Sequence, residues 1–147
     1  MKYFTSEWWG NGCEDETVFK KYQEYLDSVS SELPEQLITI QKEFTLHDSN
    51  IKEINSDFEN GIVSIRLRGW DIAFEKEMEY SLLFSGVAEF KQFLPQQEYV
   101  ESELGDLGYW EYEVVNEATE MRMLFASNAE FCVRFQGFEF TCNQIKA

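Results

Sequence analysis

Met121-Arg122-Met123-Leu124-Phe125-Ala126-Ser127-Asn128-Ala129-Glu130-Phe131-Cys132-Val133-Arg134-Phe135-Gln136-Gly137-Phe138-Glu139-Phe140-Thr141-Cys142 is the stretch whose reading decides the fold. Apolar and polar side chains alternate through three short runs, Met121 to Ala126, Glu130 to Phe135 and Phe138 to Cys142. Ser127-Asn128 and Gln136-Gly137 punctuate them, which is the pattern of strands joined by tight turns. A two-residue turn at Gln136-Gly137 predicts Phe135 opposite Phe138, Val133 opposite Phe140 and Arg134 opposite Glu139. Apolar pairs then fall on one face and the charged pair on the other.

Upstream the same period recurs. Tyr109 to Val115 reads as a strand, residues 96 to 108 as a loop, and Val87 to Leu94 as a further strand ended by Pro95. Ile72, Phe74, Met78, Tyr80, Leu82 and Phe84 alternate with Asp71, Glu75, Glu77, Glu79 and Ser81, predicting a long strand with one wet, acidic face that is interrupted at Lys76. Before it, Ile54, Ser56 and Phe58 lead into Asn60-Gly61, and Val63, Ile65 and Leu67 return. A two-residue turn there pairs Phe58 with Val63, Ile54 with Leu67 and Glu53 with Arg68.

The period changes at His47. On its N-terminal side Val18, Tyr22, Tyr25, Leu26, Val29 and Leu33 recur every three or four residues, so a helix is expected from Glu14, with acidic residues at its positive end and an exit at Ser30-Ser31. A second, shorter helix is expected from Pro34 to about Phe44, although Leu37-Ile38-Thr39-Ile40 also fits a strand. Tyr3, Phe4, Trp8 and Trp9 suggest a short strand or ordered arm, broken by Gly10-Asn11-Gly12. Together these segments predict one α+β domain over residues 1–147. One or two N-terminal helices would cover a mainly antiparallel, meander-like sheet of about six to eight strands, partly curled.

The chain has 147 residues, with 28 acidic and 12 basic side chains and a net charge of −16. A chain of this length buries roughly 70% of the surface its unfolded form exposes. Aromatic residues make up 16% of it, which excludes intrinsic disorder as its main character. A sequence pI near 4.3 excludes nucleic-acid binding through phosphates and disfavours anionic membranes, both of which need Lys and Arg. No apolar run has the length of a signal peptide or of a membrane span. Cys13, Cys132 and Cys142 are an odd set without a C-x-x-C pair and are read as reduced thiols in or near the core. A cytoplasmic protein is the expectation.

Motif by motif, the chemistry is sparse. His47 is the sole imidazole, beside Asp48 in a connection and without a Gly-x-Ser-x-Gly elbow, and it reads as an exposed loop residue and not a catalytic base. One His and three scattered Cys offer no transition-metal cluster. Asp48-Ser49-Asn50-Ile51-Lys52-Glu53 resembles the start of a calcium loop, but Lys52 takes a ligand position and Glu53 replaces the turn glycine. Gly10-Asn11-Gly12 and Gly105-Asp106-Leu107-Gly108 are too short to cradle phosphate and lack the following Lys. Carboxylate pairs for glycoside chemistry arise by chance among so many acids. No catalytic residue, metal or cofactor is assigned.

The most unusual segment runs from Gln92 to Met121. It holds no Lys or Arg, and Glu98, Glu101, Glu103, Asp106, Glu111, Glu113, Glu117 and Glu120 are interleaved with Tyr99, Tyr109, Trp110 and Tyr112. It reads either as a solvated loop and edge strand or as a protein-binding surface in which aromatic anchors give contact energy and carboxylates align a basic partner. Glu75, Glu77 and Glu79 on one strand face would extend that negative field.

The start Met1-Lys2-Tyr3-Phe4-Thr5-Ser6-Glu7-Trp8, the Glu59-Asn60-Gly61 hairpin, the strand from Gly108 to Glu113, and the closing hairpins around Met123-Leu124-Phe125, Phe131 and Phe135 together resemble an uncharacterised bacterial family. Its members begin with a similar MKYFT-plus-aromatic segment. The resemblance implies a cytosolic bacterial domain and brings no activity or site residue with it.

The function expected from these features is a non-catalytic acidic interaction domain, an inhibitor or immunity protein that neutralises a basic, nuclease-type toxin. The alternatives are a small-molecule-binding or hydrolytic domain with a pocket lined by Trp8, Trp9, Trp70, Trp110 and carboxylates, and a structural subunit with an apolar dimer patch. A monomer or weak homodimer is expected.

Overall fold

The computed structural model describes residues 1–94 and 104–145. Three helices come first: α1 (Ser6–Gly10), α2 (Thr17–Val29) and α3 (Glu35–Glu43). Eight strands follow among the described residues: β1 (Asn50–Asp57), β2 (Ile62–Trp70), β3 (Glu77–Ser85), β4 (Glu89–Phe93), β5 (Leu107–Val115), β6 (Ala118–Phe125), β7 (Glu130–Phe135) and β8 (Gly137–Gln144). The α+β class and the N-terminal position of the helices are as expected. The strands form two antiparallel four-stranded sheets and not one meander, ordered β1-β2-β3-β8 and β4-β7-β6-β5, and neither is closed.

Both sheets turn apolar side chains into one core. Ile65, Leu67, Tyr80, Leu82 and Phe84 come from the first, and Met121, Met123, Phe131, Val133 and Phe135 from the second. Phe84 and Phe135 meet edge-on across the sheets at 4.8 Å. Aromatic pairs of this geometry add about 1 kcal/mol beyond the area they bury.

The period-two pattern places the strands, but two turns differ from expectation. In β1–β2, Asp57 pairs with Ile62, Ile54 with Ile65 and Glu53 with Arg66, two residues from the predicted register. The Asp57 carboxylate accepts from the backbone N–H of Asn60 at 3.2 Å and its amide at 2.7 Å, so residues 58–61 make a longer loop with Gly61 at φ +64°. Phe58 therefore leaves the strand and is 94% exposed. A slip of two residues keeps every side chain on its face.

The second correction is at Gln136-Gly137. β7 and β8 do not pair with each other. β7 lies between β4 and β6, and β8 pairs with β3, so Gln136 carries the chain from one sheet to the other. The Gln136 N–H donates to Ser85 O at 3.0 Å, which fixes the crossing. Leu82 faces Phe140 in place of Val133, and Arg134 reaches Glu120 and Glu89 instead of Glu139.

The expected long strand around Lys76 begins only at Glu77. Residues 71–76 are a loop held by the Asp71 carboxylate, which accepts from the N–H groups of Glu75 (2.7 Å) and Lys76 (3.1 Å). Ile72 and Phe74 are exposed there.

The helices cover the two sheet edges β5 and β8. Tyr22 and Tyr25, three residues apart on one face of α2, accept at their hydroxyls from the N–H groups of Tyr112 (2.7 Å) and Val114 (2.8 Å). From α3, Gln36 Oε1 accepts from the Phe140 N–H of β8. An uncovered edge is a template for aggregation, and here side chains of the helices occupy its donors. Pro34 starts α3 at once after the turn, and Leu37 and Ile40 are fully buried, which decides this segment for helix over strand. The aromatic N-terminal segment is also helical, with Thr5 Oγ1 accepting from the Trp8 N–H at 3.1 Å.

Candidate functional site

The acidic, aromatic segment singled out in the sequence supplies β5, and the fold divides its residues sharply. Glu98, Tyr99, Glu101 and Glu103 lie outside the described residues. Glu111 is fully buried, and its carboxylate is a structural hub. It accepts from the backbone N–H groups of Lys2, Tyr3 (2.8 Å) and Phe4 (3.4 Å), and from Arg122 Nε at 3.2 Å. Arg122 also reaches Glu113 at 3.3 Å and Glu120 at 3.0 Å, and Arg134 meets Glu120 at 2.6 Å. Burial alone would lower the basicity of Arg122, but the surrounding carboxylates raise it above its ordinary value. Glu113 is likewise desolvated, yet Lys2 and Arg122 hold its carboxyl below the usual range.

Tyr112 is also inside, 1% exposed. Burial pushes its phenol well above the ordinary range, so it stays an O–H donor. Glu111 and Tyr112 are thus removed from any surface contact of the free chain, because the N-terminal arm and α2 lie over β5. Glu77 and Glu79 are half-buried on β3 and paired with Arg68 (2.9 Å) and Arg66 (3.7 Å), so the predicted acidic row is largely neutralised across β2 and β3. Only Glu75 of that row is exposed, in the loop before β3. Asp106 is exposed and accepts from the Asn50 side-chain amide.

Tyr109 and Trp110 are half-buried and border a hollow between α2 and β5. Its volume is about 550 Å³, and Phe4, Phe19, Tyr22 and His47 complete the walls. Phe4 stacks on Tyr109 at 5.4 Å, and Trp8 and Trp9 meet Tyr109 edge-on at 5.0 and 5.3 Å. Burial pushes the Tyr109 phenol up to about 12. Gly108 is required by this packing, since a Cβ there would overlap the Trp9 ring. Of the four tryptophans expected to share a pocket, only Trp110 lines this hollow.

His47 is half-buried and not exposed as expected. Its Nδ1 lies 2.6 Å from Gly108 O, and since a carbonyl only accepts, Nδ1 carries a proton and donates. Its Nε2 lies 3.5 Å from the Asp48 carboxylate. Among the described residues, no group of three or more His, Cys, Asp and Glu side chains is placed to hold a metal ion, and no helix is long and apolar enough to cross a membrane. Cys13, Cys132 and Cys142 are free thiols, and each is half-buried.

Sequence reasoning missed Phe4, Phe19 and Gln41 as parts of one wall, and the capping role of Tyr22 and Tyr25. The available signal for the last was the pair of phenols on the inward face of an amphipathic helix, where each hydroxyl needs a partner.

The remaining acids are distributed unevenly. All four arginines are engaged with carboxylates. Residues 6–48, which build the helical layer, carry ten carboxylates against Lys20, Lys21 and Lys42, and every one of the ten is exposed. They are Glu7, Glu14, Asp15, Glu16, Glu24, Asp27, Glu32, Glu35, Glu43 and Asp48. Among the described residues, the only ion pair in this stretch is that of Asp48 with His47.

A family model described as a protein of unknown function (DUF4085) matches residues 3–133, and the chain belongs to that family. No curated protein matches the chain.

Proposed function

We propose that this member of the DUF4085 family is a non-catalytic, cytoplasmic protein-binding domain whose partner is a basic protein, and that it acts as an inhibitor of the immunity-protein kind against a nuclease-type toxin. The observation that carries the reading is the division of charge between the strands and residues 6–48. Most carboxylates on the strands are paired with arginines within the fold, Asp57, Glu130 and Glu139 excepted, whereas all ten of residues 6–48 face solvent with only three lysines among them. A nuclease holds phosphate in a positive cleft, and a surface of the opposite sign is steered to such a cleft with association rates far above the unsteered value. Steric blocking requires no proton transfer, which suits a chain whose one imidazole is tied to a backbone carbonyl.

The test is a pull-down from the native cell with the full chain as bait, at about 50 mM and about 500 mM salt. Retention of a basic protein at low salt, weakened at high salt and by the triple replacement E14K/D15K/E16K, is the expected result. If no basic protein is retained at low salt, the reading fails. A toxin gene beside the coding sequence would add support, and a metabolic operon would count against it.

A further inference from the structure

The hollow beside Trp110 has a neighbour. A second hollow of about 240 Å³ lies between α2 and α3 and is lined by Leu26, Leu33, Leu37, Ile38 and Tyr112. Gln23 of α2 and Gln41 of α3 line both, so the two adjoin and share polar rims. Trp110 and Tyr112, two residues apart on β5, point to the same side of the strand and belong one to each hollow.

Two features of these residues are unexplained by folding. First, the indole N–H of Trp110 and the phenol of Tyr112 are both buried without a hydrogen-bond partner. The indole N–H lies close enough to the phenol to favour its ionised form, but the two form no hydrogen bond, and the phenol O–H meets no acceptor. Leaving one buried donor unmatched costs about 1–3 kcal/mol, and here two of the three buried side-chain groups without a partner among the described residues stand side by side at the hollows, the third being the Ser49 hydroxyl. Second, the aromatic walls are held in place by mutual contacts among Phe4, Trp8, Phe19, Tyr22 and Tyr109. Trp110 is the exception: among the described residues it makes no aromatic pair, and its half-buried ring borders the hollow.

We infer that this double hollow is a binding site for an uncharged, planar heteroaromatic molecule of bicyclic or tricyclic size that carries a ring acceptor atom. Its ring would stack against Trp110 and the Phe4–Tyr109 wall, and its acceptor would take the N–H of Trp110 and the O–H of Tyr112 after a small shift of the floor side chains. Gln23 and Gln41 would each present a donor and an acceptor to its edge. The size suits, since small-molecule sites commonly span about 300–1,000 Å³. The charge argument selects the uncharged class. An anion meets the field of a chain with net charge −16, and a cation is poorly served by two donors, with Lys20 on the larger hollow and Lys42 offsetting Asp27 on the smaller. This site is independent of the protein-binding reading, which rests above all on the exposed turn before α2.

Adenosine and riboflavin serve as uncharged probes, with adenosine monophosphate and the tetramethylammonium ion as charged controls, measured by calorimetry and tryptophan quenching on the full chain. At least one uncharged probe is expected to saturate a single site, and the nucleoside to bind more tightly than its monophosphate at low salt. Tyr112→Phe keeps the ring and removes the donor, and Trp110→Phe removes the donor together with part of the stacking surface. Each is expected to weaken binding about tenfold, the scale of a single lost hydrogen bond to a polar ligand. Tyr112→Phe should at the same time leave the free chain as stable as before or more so, because it deletes an unmatched donor, and this separates a binding role from a structural one. Phe58→Ser, far outside the hollows on an exposed loop, should bind as the parent does. The inference is overturned if neither uncharged probe binds below about 1 mM, if both donor-free variants bind as tightly as the parent, or if the tetramethylammonium ion is the tighter ligand.

Discussion

Replacing Glu111 by Gln tests the central structural claim about β5, that the most buried of its acids belongs to the fold and not to a partner. The two carboxylate oxygens serve four N–H groups: Oε1 takes Lys2 N and Arg122 Nε, and Oε2 takes Tyr3 N and Phe4 N. A glutamine amide keeps the shape but turns one oxygen into an NH₂, which faces two donors and can accept from neither. Two poorly solvated donors without acceptors cost about 1–3 kcal/mol each. Arg122 loses one of three carboxylates but keeps Glu113 and Glu120, at 3.3 and 3.0 Å, so the lost charge adds less than the removal of a lone buried partner would. The expected loss is about 3–4 kcal/mol, a large part of the roughly 5–15 kcal/mol that holds a domain of this kind together.

The assay is urea unfolding followed by tryptophan fluorescence, together with a melting temperature expected to fall by about 10 °C. Because Glu111 holds the N-terminal arm through consecutive amides, and Phe4 of that arm stacks on Tyr109 at 5.4 Å, hydrogen exchange should also accelerate at residues 2–9 well beyond the global change. An Arg122→Met variant and the double variant close a cycle in which about 1–3 kcal/mol of coupling is expected. A loss below about 1 kcal/mol with exchange of the arm unchanged would refute the reasoning, because a carboxylate meant for an outside partner can be neutralised at little cost.

Tyr22→Phe removes the acceptor of the buried Tyr112 N–H and is expected to cost about 1–3 kcal/mol; Tyr25→Phe, whose partner Val114 is half-buried, should cost less but should visibly speed exchange of the Val114 amide. If both variants unfold like the parent, α2 is not closing the edge of β5. Glu113 gives a signed pH test. Its carboxyl is held below the ordinary glutamate value, so its contribution is complete above that value and is lost as the pH falls through its lowered value in the folded chain. The stability difference between the parent and Glu113→Gln should therefore be about 1 kcal/mol or less at pH 7 and close toward zero in acid, as urea midpoints across pH 3 to 7 would report. A difference that widens in acid would show that the pairing with Lys2 and Arg122 is misassigned.

Period and face were legible in the residues, whereas partnership between distant strands was not. Val63, Ile65 and Leu67, and likewise Tyr80, Leu82 and Phe84, point inward as their alternation demands, because a sheet with one wet face leaves no other choice. The loop at Asn60-Gly61 is two residues longer than the alternation implies, because the Asp57 carboxylate accepts from Asn60. At Gln136-Gly137 the difference has a non-local cause. A short connection between two alternating runs allows either a hairpin or a crossing between sheets, and only β3, about fifty residues earlier, decides which. Glu111 shows the same limit at the level of one side chain. Its neighbours Trp110 and Tyr112 look like those of any edge strand, and the donors that make burial of its charge tolerable come from residues 2–4 and from Arg122.

That limit also explains why composition misplaced the charge. Acids and arginines that alternate on neighbouring strands meet across the sheet, so a strand segment without a single Lys or Arg of its own can be neutralised by the next strand: Arg122 of β6 serves Glu111 and Glu113 of β5. A helix on the surface has no such neighbour on its outer face, and its acids can be offset only by residues three or four positions away. In α2 only Lys20 and Lys21 are available, and among the described residues neither forms an ion pair with a carboxylate. Of the ten exposed carboxylates of residues 6–48, five lie in helices, Glu7, Glu24, Asp27, Glu35 and Glu43, and five in the connections between and after them. Some of these acids do serve the fold: Asp15 accepts from the Thr17 N–H at 3.1 Å, and Glu7 and Glu35 lie in the first turns of α1 and α3, at the positive end of the helix dipole. Within the helices the charges nearly balance, Glu24 and Asp27 against Lys20 and Lys21 in α2 and Glu35 and Glu43 against Lys42 in α3, so the excess sits in the exposed turns, above all Glu14-Asp15-Glu16 before α2, and that turn, and not β5, is where a basic partner is to be sought.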